Sequence, residues 1–167
     1  RGGWFANRQL RKWKAEGIAK HIGFSSMMTN GPRIKQIIEV FDPEAVLIAI
    51  SATKYGNVAE HAIPAAQAHK TGFMAMKTLR SVVGKGATAK ELLNYAWTQP
   101  GVASILVGHS KVEELEENVK IVCELSKTTS YYDPQALEKR LAHLATPEVL
   151  TWARPEYRDG GHNTTLV

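Results

Sequence analysis

Four short apolar runs, His21 to Phe24, Ala45 to Ile50, Gly72 to Met76 and Val102 to Val107, begin 24, 27 and 30 residues apart. A strand every 24 to 30 residues leaves room in each gap for one helix and two loops, which is the rhythm of βα units feeding a parallel sheet. The gaps carry helical patterning, so the four strands are expected to run parallel. Val46-Leu47-Ile48-Ala49-Ile50 and Val102-Ala103-Ser104-Ile105-Leu106-Val107 are nearly continuous in apolar residues. Strands that alternate are wet on one face; strands without alternation are expected to be covered on both.

Helix starts are legible from caps. Thr88-Ala89-Lys90-Glu91 and Ser110-Lys111-Val112-Glu113 both fit a capping box, in which a hydroxyl and a carboxylate three residues on satisfy backbone N–H groups. Asp133-Pro134 and Thr146-Pro147 each set a capping residue before a proline at the first helical position. Arg8 to Glu16 reads as a basic helix ended by Gly17, and Tyr131 to Trp152 as two short helices followed by a polar tail from Arg154 to Val167. No low-complexity linker divides the 167 residues, so a single domain is expected. A complete eight-fold β/α barrel needs roughly 200 residues or more and does not fit this length.

Several chemistries are poorly supplied. Cys123 is the only cysteine, which excludes an intrachain disulfide and a Cys-rich metal site and suits a reducing, cytoplasmic location. No apolar run approaches the roughly 18 residues of a membrane span. His21, His61, His69, His109, His143 and His162 have no partner at the i+4 spacing that sets two ligands on one helix face, so no metal site is expected. Gly23-Phe24-Ser25-Ser26-Met27 lacks the closing glycine of a nucleophile elbow. Gly84-Lys85-Gly86 completes neither phosphate-loop spacing and reads as a flexible connection. The net charge of +5 favours anionic partners in general. Arg8, Arg11, Lys12 and Lys14 lack aromatic interleaving, so a solvated helix face is expected there and no nucleic acid.

Three segments go further. Lys14-Ala15-Glu16-Gly17-Ile18-Ala19-Lys20-His21-Ile22-Gly23-Phe24-Ser25-Ser26 resembles the "K-x-x-G-K-x-x-x-I-G-x-S" stretch of aldo/keto reductases. Gly72-Phe73-Met74-Ala75-Met76-Lys77-Thr78-Leu79 resembles the "G-x-x-x-M-K-x-L" strand of their bacterial and ferredoxin-linked members. Gln99-Pro100-Gly101-Val102 and Val107-Gly108-His109-Ser110-Lys111-Val112-Glu113-Glu114-Leu115-Glu116-Glu117-Asn118 are similar to that family's last strand and following helix. The segments occur in family order and span residues 5 to about 127.

The resemblance implies an α/β fold, the C-terminal half of a TIM (β/α)8 barrel, with residues 128 to 167 as a helical extension and tail. It implies a binding site for NADP or NAD at the C-terminal ends of the strands, where barrel enzymes carry their function. Ser25 and Ser26 would meet the nicotinamide carboxamide, with Ser-Ser in place of the family's Ser-Asn or Ser-Arg. Met76, Lys77, Thr78 and Leu79 would line the nicotinamide face and pyrophosphate. Gly108, Ser110, Glu114, Glu117 and Asn118 would hold the adenosine end, with Gly108 permitting close backbone approach. Glu114 stands where Arg or Gln is common, and a carboxylate there opposes a ribose 2′-phosphate. Near the second strand only Ser51 could assist the nicotinamide.

The family's catalytic Asp, Tyr, Lys and His have no counterpart in residues 1 to 167, and Tyr55 is not placed to serve as the proton donor. The implied activity is therefore carbonyl reduction by a longer parent acting on a small carbonyl substrate, with this chain holding the cofactor. The missing half, or a second copy of the chain, would complete the ring. The alternatives are a non-catalytic half barrel that closes by self-association and a flavodoxin-like doubly wound domain.

Overall fold

A computed structural model describes residues 2–127, 133–154 and 156–157, with residues 2–6 as backbone only. The elements alternate as the spacing predicts: α1 (Gly2–Ala15), β1 (Gly23–Ser26), α2 (Gly31–Phe41), β2 (Ala45–Ala49), α3 (Val58–Ala68), β3 (Gly72–Met76), α4 (Ala89–Trp97), β4 (Val102–Leu106), α5 (Val112–Leu125) and α6 (Pro134–Leu141). Every strand pair is parallel, and the order across the sheet is β1-β2-β3-β4. A doubly wound sheet needs a reversal of strand order, which this sheet does not have. With right-handed crossovers, sequential order places the helices on one face.

The register shows which side chains that face receives. Val46, Ile48, Phe73 and Ala75 lie at positions of one parity along β2 and β3 and are all 1% exposed or less. They pack in one core with Ile34 and Ile38 of α2, Ala62 and Ile63 of α3, and Leu92 of α4. The opposite parity, Ser25, Leu47, Met74 and Ser104, forms a register row that is only partly covered. The expectation that β4 is covered on both faces fails, since Leu106 is 58% exposed. No described element packs beyond that strand, and an extra residue at the irregularity between Phe73 and Met74 leaves Ala103 exposed as well.

The first strand begins two residues later than the apolar run suggests. His21 and Ile22 are engaged by one carboxylate: Glu44 accepts the Ile22 N–H at 3.0 Å and lies 3.1 Å from His21 Nδ1 and 2.6 Å from Lys14 Nζ. The ladder then opens at Gly23, where any Cβ would stand 2.2 Å from the Ala45 carbonyl oxygen. Glycine is required here by a neighbouring backbone.

The Thr88 and Glu91 box forms as read, and Asp133 accepts N–H groups of Gln135 and Ala136. The Ser110 and Glu113 box does not. Helix α5 starts one residue later, with Lys111 at its N-cap, so Glu114 rather than Glu113 occupies the third position and accepts the Ser110 N–H at 2.8 Å. Thr146-Pro147 starts only one turn, because Arg154 takes the Pro147 and Glu148 carbonyls that a continuing helix would use. The basic helix is longer than expected at its start, running from Gly2, and the left-handed Gly17 ends it. Tyr131, Tyr132 and most of the tail expected from Arg154 onward lie outside the described residues.

Residues beyond α5 join the same core. Leu137, Leu141, Leu144, Leu150 and Trp152 are buried against it. Glu138 accepts from the Tyr95 hydroxyl at 2.9 Å and pairs with Lys54 at 3.5 Å, while Arg140 pairs with Glu91. The extension is thus integral to packing. Helix α5, by contrast, buries Ile121 and leaves Val112, Leu115, Val119 and Val122 exposed at i, i+3, i+7 and i+10.

Lys14, His21 and the Ile22 N–H together hold the Glu44 carboxyl down to about 2 from an ordinary 4.5. A depressed carboxylate stabilises the fold above the unfolded value, and that stabilisation is lost as pH falls through the folded one. Glu44→Gln should therefore melt lower at neutral pH and lose less stability than the native chain between pH 4.5 and 2. Thermal melts across that window read it directly.

Candidate functional site

At the C-terminal ends of the strands, the chain encloses an open cleft of about 980 Å³. Three loops build it. The first leaves β1, the second leaves β3, and the third joins β4 to α5. All eleven residues proposed from sequence line this cleft: Ser25, Ser26, Met76, Lys77, Thr78, Leu79, Gly108, Ser110, Glu114, Glu117 and Asn118. Parallel strands in adjacent register end together, so residues more than 80 positions apart in sequence converge at one mouth.

Each wall has its own chemistry. Ser25 is exposed at the end of β1, and Ser26 is half-buried, its hydroxyl accepting the Met28 N–H at 3.1 Å. Leu47 and Met76 supply an apolar floor. The β3 wall is cationic, with Lys77 and Arg80, whereas the α5 wall is acidic, with Glu114 and Glu117. Lys77 and Ser81 both adopt left-handed backbone, at φ 61 and 68. Neither is glycine, but Asp42, Lys54, Asn57 and Lys70, away from the cleft, adopt the same region, so this conformation does not single the cleft out.

One hydroxyl and one glycine of the cleft are not explained by the fold itself. Thr78 is 2% exposed, and its hydroxyl finds no hydrogen-bond partner among the described residues. A buried hydroxyl without a partner is costly to the fold. At Gly108 the backbone has no positive φ, and a Cβ there would meet nothing within 4 Å. The molecule places no demand for glycine at that position.

Ser51 is not part of the cleft. Its hydroxyl lies 3.0 Å from Thr53 Oγ1 and accepts the Thr53 N–H at 3.3 Å, so it shapes the turn after β2 instead. Tyr55 packs against the core from a 3₁₀ turn. Arg80, Ser81 and His109 line the cleft but were not anticipated. Arg80 lies three residues beyond Lys77, close enough in sequence to have been considered; the curl of the loop that brings it back is not visible in the residue types.

No protein-family model matches the chain, and no curated protein sequence matches it. Among the described residues no helix is long and apolar enough to cross a membrane.

The unexplained hydroxyl generates a prediction with two signs. Thr78→Val removes an unpartnered buried polar group at nearly constant shape, so it should leave ligand-free stability unchanged or raise it by about 1 kcal/mol. Gly108→Ala should leave the melting temperature unchanged. Chemical denaturation of both variants checks this, and a loss of more than about 2 kcal/mol in either would mean that the fold does use the group.

Proposed function

We propose that this chain is a dinucleotide-binding βα protein whose cleft holds a phosphate-bearing redox cofactor in extended form. More particularly, we propose the C-terminal half of an aldo/keto reductase barrel, the cofactor wall of an NAD(P)H-dependent enzyme that reduces a small carbonyl compound. The observation that carries the reading is the convergence of the eleven resembling residues, drawn from three separate segments, on one cleft at the strand ends. Sequential parallel strands with helices on one face also suit four of the eight units of a closed barrel.

The residues fit such a group. The cleft volume lies within the usual range for small-molecule sites. Lys77 and Arg80 supply charge for a pyrophosphate, and Gly108 room for close approach. When bound, the nicotinamide would deliver a hydride to the carbonyl carbon. This chain's residues would bind and orient it: Ser25 and Ser26 at the carboxamide, Leu47 and Met76 beneath the ring, Glu117 and Asn118 at the adenine. Proton donation to the carbonyl oxygen would come from the preceding half of the barrel. By itself the chain is expected to bind nucleotide weakly and to turn over little.

The exposed apolar stripe of α5 and Leu106 at the outer strand favour a second reading, in which another copy of the chain closes the ring. A helix with apolar residues on two sides is built for two neighbours. Either four further βα units or a second copy would supply the second neighbour. Sedimentation distinguishes them: a dimer with a single cooperative melt favours self-closure.

Calorimetric titration with NADH and NADPH tests the cofactor reading. Binding of at least one in the micromolar to millimolar range is expected, and no heat from either at millimolar concentration would overturn it. Because the Glu114 carboxylate opposes a 2′-phosphate, Glu114→Gln should improve NADPH binding several-fold at low salt and leave NADH nearly unchanged.

A further inference from the structure

The segment after α6 returns an aromatic ring to the end of β3. Leu150 and Trp152 are buried in the core, and Arg154 fastens the chain by donating to the Pro147 and Glu148 carbonyls at 2.8 and 3.1 Å. The Thr151 hydroxyl meets that of Ser81 at 3.4 Å. From this anchored strap Tyr157 reaches both cations of the β3 loop. Lys77 Nζ lies 5.1 Å from the centre of its ring and Arg80 Cζ 5.8 Å from the same centre, and Lys77 also donates to the Tyr157 hydroxyl at 3.4 Å.

Both cations approach one aromatic ring, whose negative face attracts positive charge. The direction of approach decides the role. Lys77 and Arg80 line the cleft, whereas Tyr157 does not. The ring therefore meets the cations from outside the space a ligand would occupy. A side chain that blocked the mouth would line the cleft and compete with an anion.

We propose that Tyr157 is a positioning residue, anchoring both Lys77 and Arg80 at the cleft wall so that they present their charge to a diphosphate. The identity of the ligand rests on the cofactor reading above; the role of the strap goes beyond it. The strap contributes its ring, and the cations meet the anion.

Calorimetric titrations of the full chain with inorganic pyrophosphate, NADH and adenosine, on the native protein, Tyr157→Phe and Tyr157→Ala, test this. Tyr157→Ala should weaken pyrophosphate and NADH about tenfold, and Tyr157→Phe, which keeps the ring, should stay within about threefold of native. Adenosine carries no phosphate and should bind all three proteins alike. Unchanged or tighter pyrophosphate binding by Tyr157→Ala overturns the proposal, as does an equal loss for adenosine, which would indicate general damage. If the native chain binds pyrophosphate with this variant pattern but neither NADH nor NADPH, the positioning role stands and the dinucleotide reading falls. If it binds none of them, both fall.

Discussion

The burial of Val46, Ile48, Phe73 and Ala75 under α2, α3 and α4 organises this molecule. Each is nearly inaccessible, and together they commit one parity of every central strand to the helical layer. A one-residue slip in register would exchange that row for Leu47 and Met74, so the pairing is tightly specified. Once it is set, the strand ends lie level, and the loops that follow β1, β3 and β4 are brought together whatever their sequences. The cleft is a consequence of the register.

The same arrangement leaves the other face underfilled. Burying roughly half of a parallel sheet is unusual, because such sheets are ordinarily covered on both sides. Helix α5 shows the imbalance most clearly. Ile121 faces inward, and a second apolar line through Val112, Leu115, Val119 and Val122 stays in water. The C-terminal extension offsets some of this deficit, with Leu137, Leu141, Leu150 and Trp152 adding to the core and Glu138 joining Tyr95 to Lys54. It therefore acts as packing at one end and as a strap over the β3 loop at the other.

What could be read in advance was what depends on neighbours in sequence. The third strand, Gly72–Met76, and the Thr88 and Glu91 box follow from local pattern and appear as read. The first strand shifted because Glu44, more than twenty residues away, takes the Ile22 N–H before the ladder begins. Thr146-Pro147 failed as a helix start because Arg154, later in the chain, competes for its carbonyls. The eleven cleft residues were legible through family resemblance, whereas the contact of Arg80 and Tyr157 with one another depends on two loops meeting in space. No periodicity encodes such a meeting.

Internal comparisons show which threonines and glycines the fold itself requires. Thr71 and Thr78 are both buried, yet the Thr71 hydroxyl donates to the Pro43 carbonyl at 2.7 Å, while that of Thr78 has no described partner. Gly23 and Gly56 stand where a Cβ would strike a carbonyl oxygen at 2.2 and 1.9 Å, so the backbone demands glycine. Gly108 meets no such neighbour and has no left-handed φ. Gly72, on β3, likewise has no left-handed φ, and a Cβ there would make only an ordinary contact with the Glu44 carbonyl at 3.4 Å, so glycine without a backbone demand is not confined to the cleft. Trp152 Nε1 is equally buried and without a described partner in the core, away from the cleft, so an unpartnered buried group is not confined there either.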